Sequence, residues 1–407
     1  MFALDTPVPP VRPDIVPVEY GRGLVALVDE EREDDRAIVV PESFVPLLAE
    51  FDGRRSAGEL VAAARAQGGE APDPLQLLEL VEVLDREGYL ESGRWKQMRE
   101  ERARAYSALR VRPAVHAGGA YPAAADELRT FLDGFLEADS SGAAEDPREP
   151  VAVIAPHIDF RVGGNCYGPP FNALRAHSTA ETYIILGTAH YESYDRFMIA
   201  EKDFDTPLGI VPCDREYIAA LRAAVPFAMT HDERAHRREH SIEFEAVMLR
   251  HIFPHRSIRI VPILTGGLYE YAEFGQKGAG TDPKLAALYR AIVEAADACN
   301  RRICVVASGD LSHIGRKFGD PADAREMFEE VRRFDHEVMS ILESADPEQF
   351  IERVGRERNR TRICGVAPFY TMLRSVAPGS GRVFHYDLWD EVERGSAVTF
   401  ASAVYYA

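Results

Sequence analysis

Val151-Ala152-Val153-Ile154-Ala155-Pro156-His157 sets a short, unbroken apolar run just ahead of a histidine. Such a run, without polar alternation, reads as a strand buried on both faces. Tyr183-Ile184-Ile185-Leu186-Gly187-Thr188-Ala189-His190 repeats the pattern, and Ile303 to Ala307 leads into Ser308-Gly309-Asp310-Leu311-Ser312-His313. Ile363-Cys364-Gly365 ends a fourth hydrophobic stretch. Strands that finish at one edge of a sheet bring such residues together.

Outward from these runs, Ile258 to Leu264 is mostly apolar, and Ser241 to Ile252 and Pro283 to Ala298 carry helical spacing. Strands alternating with helices predict a three-layer α/β domain. Near the end, Val383 to Asp387 and Val398 to Tyr406 read as strands with no crossover helix between them, so a mixed sheet is expected.

Residues 1–95 read as a separate small unit. Arg36 to Val40 suggests a strand, and helices are expected through Phe44, Leu47 and Leu48, from Ser56 with Glu59 as capping acid, and from Asp73 or Pro74 through Leu77, Leu80, Val81 and Leu84. Three short helices closed by a hairpin at Gly88-Tyr89-Leu90 are winged-helix-like. The third helix would be acidic through Glu79, Glu82, Asp85 and Glu87, which favours a peptide or protein partner over DNA; a packing domain without a ligand is the alternative. A helical linker over 96–108 joins it to a domain over 109–407. Another helix follows Tyr121 through Ala125 to Leu136, and Asp139 to Pro150 reads as a flexible connector.

With 407 residues, 46% of them hydrophobic, the chain has enough apolar material for two or three domains. Prolines 7, 9, 10, 13 and 17 break up the N-terminal stretch, and no run approaches the roughly 20 apolar residues of a membrane span. The expected location is cytoplasmic, with no membrane role. A formal net charge of -19 argues against nucleic acid, because phosphate binding needs a concentrated basic surface. The five widely spaced cysteines suggest neither a disulfide framework nor a CxxC zinc site.

His157 and His190 occupy matching strand-end positions, each readable as a hydrogen-bonded structural histidine or as a metal ligand. Gly163-Gly164 after His157 suggests a close turn with room for a ligand. Cys364, a small buried hydrophobe in the plainer reading, would complete with them a face of two nitrogens and one sulfur. Asp310, three residues before His313, would orient it for proton transfer or cap the following turn. Glu239-His240-Ser241-Ile242-Glu243 opens a helix without the HExxH order; His240 is the inward candidate, His236 is expected in solvent among Arg234, Arg237 and Arg238, and Glu239 and Glu243 serve the site or stabilise helix start and surface. No GxSxG elbow accompanies Ser241 or Ser308, which weakens a serine hydrolase reading.

These segments, with Arg112-Pro113-Ala114-Val115-His116-Ala117-Gly118-Gly119-Ala120-Tyr121-Pro122 and Val261-Pro262-Ile263-Leu264, make residues 109–407 resemble the Memo-like family, whose fold is similar to class III extradiol dioxygenases. The resemblance implies His157, His190 and Cys364 as a metal-proximal trio, with His240, Asp310 and His313 lining the same cleft as candidate catalytic groups. It implies iron, with copper or zinc as alternatives. Two departures stand out. His157-Ile158-Asp159-Phe160 replaces the usual His-Ala-Gly-Tyr, and Gly365-Val366-Ala367-Pro368 lacks the basic-histidine pair that often follows the glycine. The N-terminal unit resembles PqqD-like peptide-binding domains. The expected function is a metal-binding, iron-dependent oxidoreductase acting on an aromatic or peptide-derived substrate; the alternative is a non-enzymatic peptide- or protein-binding scaffold with a structural or vestigial metal.

Overall fold

The structure, a computed structural model, describes residues 2–29, 37–68, 72–191, 195–227 and 233–407. The chain divides into two units, Met1–Ala108 and Leu109–Ala407.

In the first unit, β1 (Ile15–Gly21), β2 (Leu24–Asp29) and β3 (Ile38–Pro41) form an antiparallel sheet. Helices α1 (Val45–Ala49), α2 (Ala57–Ala66), α3 (Pro74–Arg86) and α4 (Gly93–Ala108) follow. The start of α2 is fixed by the Ser56/Glu59 capping box, and α3 begins where Asp73 accepts the Leu75 N–H ahead of its first residue, Pro74. Leu77, Val81 and Leu84 make a fully buried stripe at helical spacing, each burial contributing about 1.5–3 kcal/mol. The order differs from three helices closed by a hairpin. The β1–β2 hairpin precedes the helices, and Leu90 adds only an isolated bridge to Val11. Of the strand expected over Arg36 to Val40, Arg36 lies outside the described residues.

The second unit runs β4 (Val111–Arg112), α5 (Ala125–Ala138), β5 (Pro150–Ala155), α6 (Phe160–His177), β6 (Thr182–Thr188), β7 (Phe197–Ile199), β8 (Asp203–Phe204), α7 (Arg215–Ala224) and α8 (His240–Ile252). It continues through β9 (Arg259–Thr265), α9 (Tyr269–Ala272), α10 (Pro283–Cys299), β10 (Ile303–Ser308), β11 (His313–Gly315), α11 (Phe328–Glu343), α12 (Pro347–Arg356), α13 (Val366–Val376), β12 (Ser380–Glu391) and β13 (Ser396–Tyr406). Strands β5, β10, β6 and β9 lie side by side and parallel in that order. Antiparallel strands flank them: β7 beyond β9, and β13 beside β5, with β12 and β11 paired to β13. The sheet is mixed, as two final strands with no crossover helix between them imply.

Strand alternation decides the layers. Ala152, Ile154, Ile184, Leu186, Val305 and Ala307 join one core with residues of α7, α10, α11 and α13. Val153, Ala155, Tyr183, Ile185, Cys304 and Val306 join another with α5, α6 and α8. Both faces are therefore covered, which is why these strands read as continuous apolar runs.

Two expectations are corrected. The Asp139–Pro150 segment is packed, since Ala143 is fully buried and Asn172 donates to Asp139 Oδ2 at 3.0 Å. Gly163 and Gly164 lie inside α6, where an added Cβ would fall 2.3 Å from Ile158 and 2.2 Å from Phe135; they serve close packing, not a turn beside a ligand. Among the described residues no helix is long and apolar enough to cross a membrane.

Candidate metal centre

The parallel strands end level. Ser308 pairs with Ala155 and Ala307 with Leu186, so the chain leaves β5 at His157, β10 at Asp310 and β6 at His190 along one carboxyl edge. The segment before α13 crosses that edge, bringing Cys364. This crossing needs glycine twice: a Cβ on Gly309 would lie 2.5 Å from Gly365 Cα, and one on Gly365 would lie 2.9 Å from the Asp310 carbonyl. The Gly365 N–H donates to that carbonyl at 3.0 Å.

His157 is the hub. Its Nε2 lies 3.2 Å from Cys364 Sγ and 3.7 Å from Asp310 Oδ2, and its Nδ1 lies 3.4 Å from Ser308 Oγ. Its ring stands edge-on to His190 and His240, with centroids 4.8 and 5.2 Å away. Potential donors form two clusters that share His157, one with His190 and His240 and one with Asp310 and Cys364, all donor atoms of a cluster lying within 4.8 Å of one another. The trio His157, His190 and Cys364 straddles both clusters. His157 and Asp310 form the buried floor, while the His190 and His240 side chains are 29% and 24% exposed at the rim.

Glu239 organises that rim. Its carboxylate accepts from the His190 N–H at 2.7 Å, meets His190 Nδ1 at 2.9 Å, and caps α8 through the N–H groups of His240 and Ser241. Arg112 Nη2 donates to the Glu239 carbonyl at 2.7 Å, and Ser241 Oγ donates to the Thr188 carbonyl at 2.8 Å, fastening α8 to the end of β6. Glu243 is fully buried against the Arg112 guanidinium and the Tyr121 hydroxyl, and it accepts the His116 N–H at 3.0 Å. Neither glutamate is a surface residue. His236 is also buried, at 1% exposure, with Nε2 2.8 Å from the Met198 carbonyl. The arginines around His236 misled; Arg112, arriving from over a hundred residues away, holds the His236 and Glu239 carbonyls and the Glu243 carboxylate.

Asp310 and His313 do not pair with each other, nor does Asp310 cap the following turn. Asp310 Oδ1 accepts the N–H groups of His157 and Ile158 at 3.1 and 3.3 Å. His313 Nδ1 lies 3.1 Å from the carbonyls of both Leu311 and Arg362, which makes it the protonated nitrogen and leaves Nε2 free. Burial pushes Asp310 up to about 7. Burial, then the charge of His190, pulls His240 down to about 3 and His313 to about 4. Burial works against a charged His190, yet Glu239 and the Cys364 thiol outweigh it and raise the group. His116, which stands 5.9 Å from His240 ring to ring, was missed as a site residue; Glu239, open between the site and the helix start in the sequence, serves both.

These residues fit a metal ion. A nitrogen and a sulfur bound to one ion at about 2.0 and 2.3 Å in a tetrahedron stand about 3.5 Å apart, close to the 3.2 Å between His157 Nε2 and Cys364 Sγ. The mixture of imidazole, thiolate and carboxylate suits iron, copper or zinc without choosing among them.

Residues 112–404 match the model of the Memo-like protein family. A MEMO1 family protein of Aquifex aeolicus is 27% identical over 373 residues, 91% of this chain and 92% of its own length, so that alignment extends into the first unit. One of Thermus thermophilus is 29% identical over 289 residues, 71% of this chain and 81% of the relative. Protein MEMO1 of Xenopus laevis is 29% identical over 276 residues, 65% and 84%. With its cleft of histidines, Asp310 and Cys364 at the carboxyl edge of the sheet, the chain belongs to the Memo-like family.

Proposed function

We propose that this chain is a metal-dependent oxidoreductase of the Memo-like family, with a fold akin to class III extradiol dioxygenases. His157, His190 and Cys364 hold iron, for which copper or zinc is the substitute. The observation that carries the reading is the 3.2 Å approach of Cys364 Sγ to His157 Nε2, beside a His190 ring whose other nitrogen is held by Glu239. Bound iron would supply redox chemistry toward oxygen and an aromatic or peptide-derived substrate. Asp310, near neutrality, holds and shares a proton with the cleft, and neutral His313 presents its free Nε2 as a transient acceptor. His240 closes the rim beside His190.

Residues 1–95 act in this reading as a winged-helix-like, PqqD-like domain joined by a helical segment over 96–108, recruiting a peptide or protein partner. A groove of about 430 Å³ bounded by Pro46, Leu47, Leu60 and Ala63 favours the second reading, a scaffold with a vestigial metal. Anaerobic purification followed by metal analysis separates the two. His157→Ala and His190→Ala should each lower iron or copper content sharply, and Cys364→Ala should lower it in part. Unchanged content in all three would sink the metal assignment, and bound metal without oxygen consumption would favour the scaffold.

A further inference from the structure

We infer that His240 is a metal ligand, and that His157, His190 and His240 hold an ion even without the Cys364 thiol; this rests on the metal-binding reading above and extends it. The first observation is the His190/His240 pair. Their rings stack with centroids 4.7 Å apart and 23° between planes, and both Nδ1 atoms face the same Glu239 oxygen, at 2.9 and 3.2 Å. One carboxylate that engages two imidazoles at Nδ1 leaves both Nε2 atoms as the free donors, the arrangement that usually orients histidine ligands. Glu239 is itself saturated by the N–H groups of His190, His240 and Ser241, so the pair is held as one unit on the start of α8.

The second observation is the donor spacing. His157, His190 and His240 form a complete three-imidazole set within 4.8 Å, and Cys364 belongs to the other cluster. Cys364 Sγ faces His190 as well, but it also accepts the Asp310 N–H at 3.2 Å. A three-imidazole face with one side open is a recognised way to hold a divalent ion with room for a further ligand. The thiol then adds a soft donor next to the ion without being the group that retains it. Oxidised or replaced, Cys364 leaves three imidazoles behind.

Cobalt(II) titrated into the metal-stripped full-length protein, followed by visible and near-ultraviolet absorption, tests this. Cys364→Ser should still bind one equivalent of cobalt, with the visible bands kept and any thiolate charge-transfer band lost. His240→Ala should weaken cobalt binding by at least tenfold, and His240→Ala with Cys364→Ser should bind no stoichiometric cobalt, while circular dichroism shows all variants folded. His240→Asn serves if the alanine variant does not fold. Loss of all cobalt in Cys364→Ser, or equal affinity with and without His240, would overturn the inference while leaving the His157, His190 and Cys364 site intact. A wild-type protein that takes up no cobalt, iron, copper or zinc would instead overturn the metal-binding reading itself.

Discussion

Glu239 receives the backbone N–H of His190 at 2.7 Å and the ring Nδ1 of the same residue at 2.9 Å, so one buried carboxylate fixes both the path of the chain and the direction of its imidazole. Glu239→Gln should therefore lower divalent metal affinity by about 10–100-fold, with a stability loss of about 1–3 kcal/mol from the weakened buried cap. Metal titration and urea unfolding measure the two effects. A stability loss with unchanged affinity would reduce Glu239 to a helix cap.

Gly309 and Gly365 allow the Asp310 and Cys364 loops to touch. A methyl group at Gly309 would meet the Gly365 backbone at 2.5 Å, and neither chain segment can yield as a side chain does. Gly309→Ala should cost about 1–3 kcal/mol and make Cys364 react faster with iodoacetamide. The partly exposed Cys299 is the internal reference for that rate. Equal labelling of Cys364 in variant and wild type would show that the loops absorb the methyl group.

Asp335 is fully buried, with Oδ1 bonded by Ser312 Oγ at 2.7 Å and Oδ2 by Thr399 and Tyr386 hydroxyls at 2.7 and 3.0 Å. Burial lifts it to about 6 from 3.8, against the pull of those hydrogen bonds. Between these two values the folded protein holds a proton that the unfolded chain has lost. Stability from this group is thus fully present below pH 3.8 and declines as pH rises to about 6, a total of about 3 kcal/mol. Asp335→Asn removes the dependence, so the stability of wild type relative to variant should fall by roughly that amount between pH 4 and pH 7. Parallel urea curves across that range would contradict it.

In the first unit, Leu77 opens the buried α3 stripe. Leu77→Ala should cost about 2–5 kcal/mol, seen as faster amide exchange in α2 and α3. A cost below about 1 kcal/mol would mean that the stripe collapses around the gap.

The hydrophobic runs before His157, His190 and Asp310 made the parallel strands legible, because a strand covered on both faces must be apolar throughout. The capping residues Ser56 and Asp73 were legible for a similar reason: a helix start is satisfied by residues within three positions of it. The antiparallel end of the sheet followed from two strands with no helix between them. Each of these signals is local, and local chemistry determined it.

Only the tertiary structure decided the partners. Glu239 and Glu243 read equally as site acids or helix acids until His190 and Arg112 arrived from distant segments, and Asp310 turned toward His157 rather than His313. The Cys364 segment reaches His157 across more than two hundred residues, through a gap that two glycines leave open. Which side chains share a cleft depends on sheet order and loop crossing, and these arise from burying both faces of the sheet at once, a property of the whole chain that no short stretch encodes.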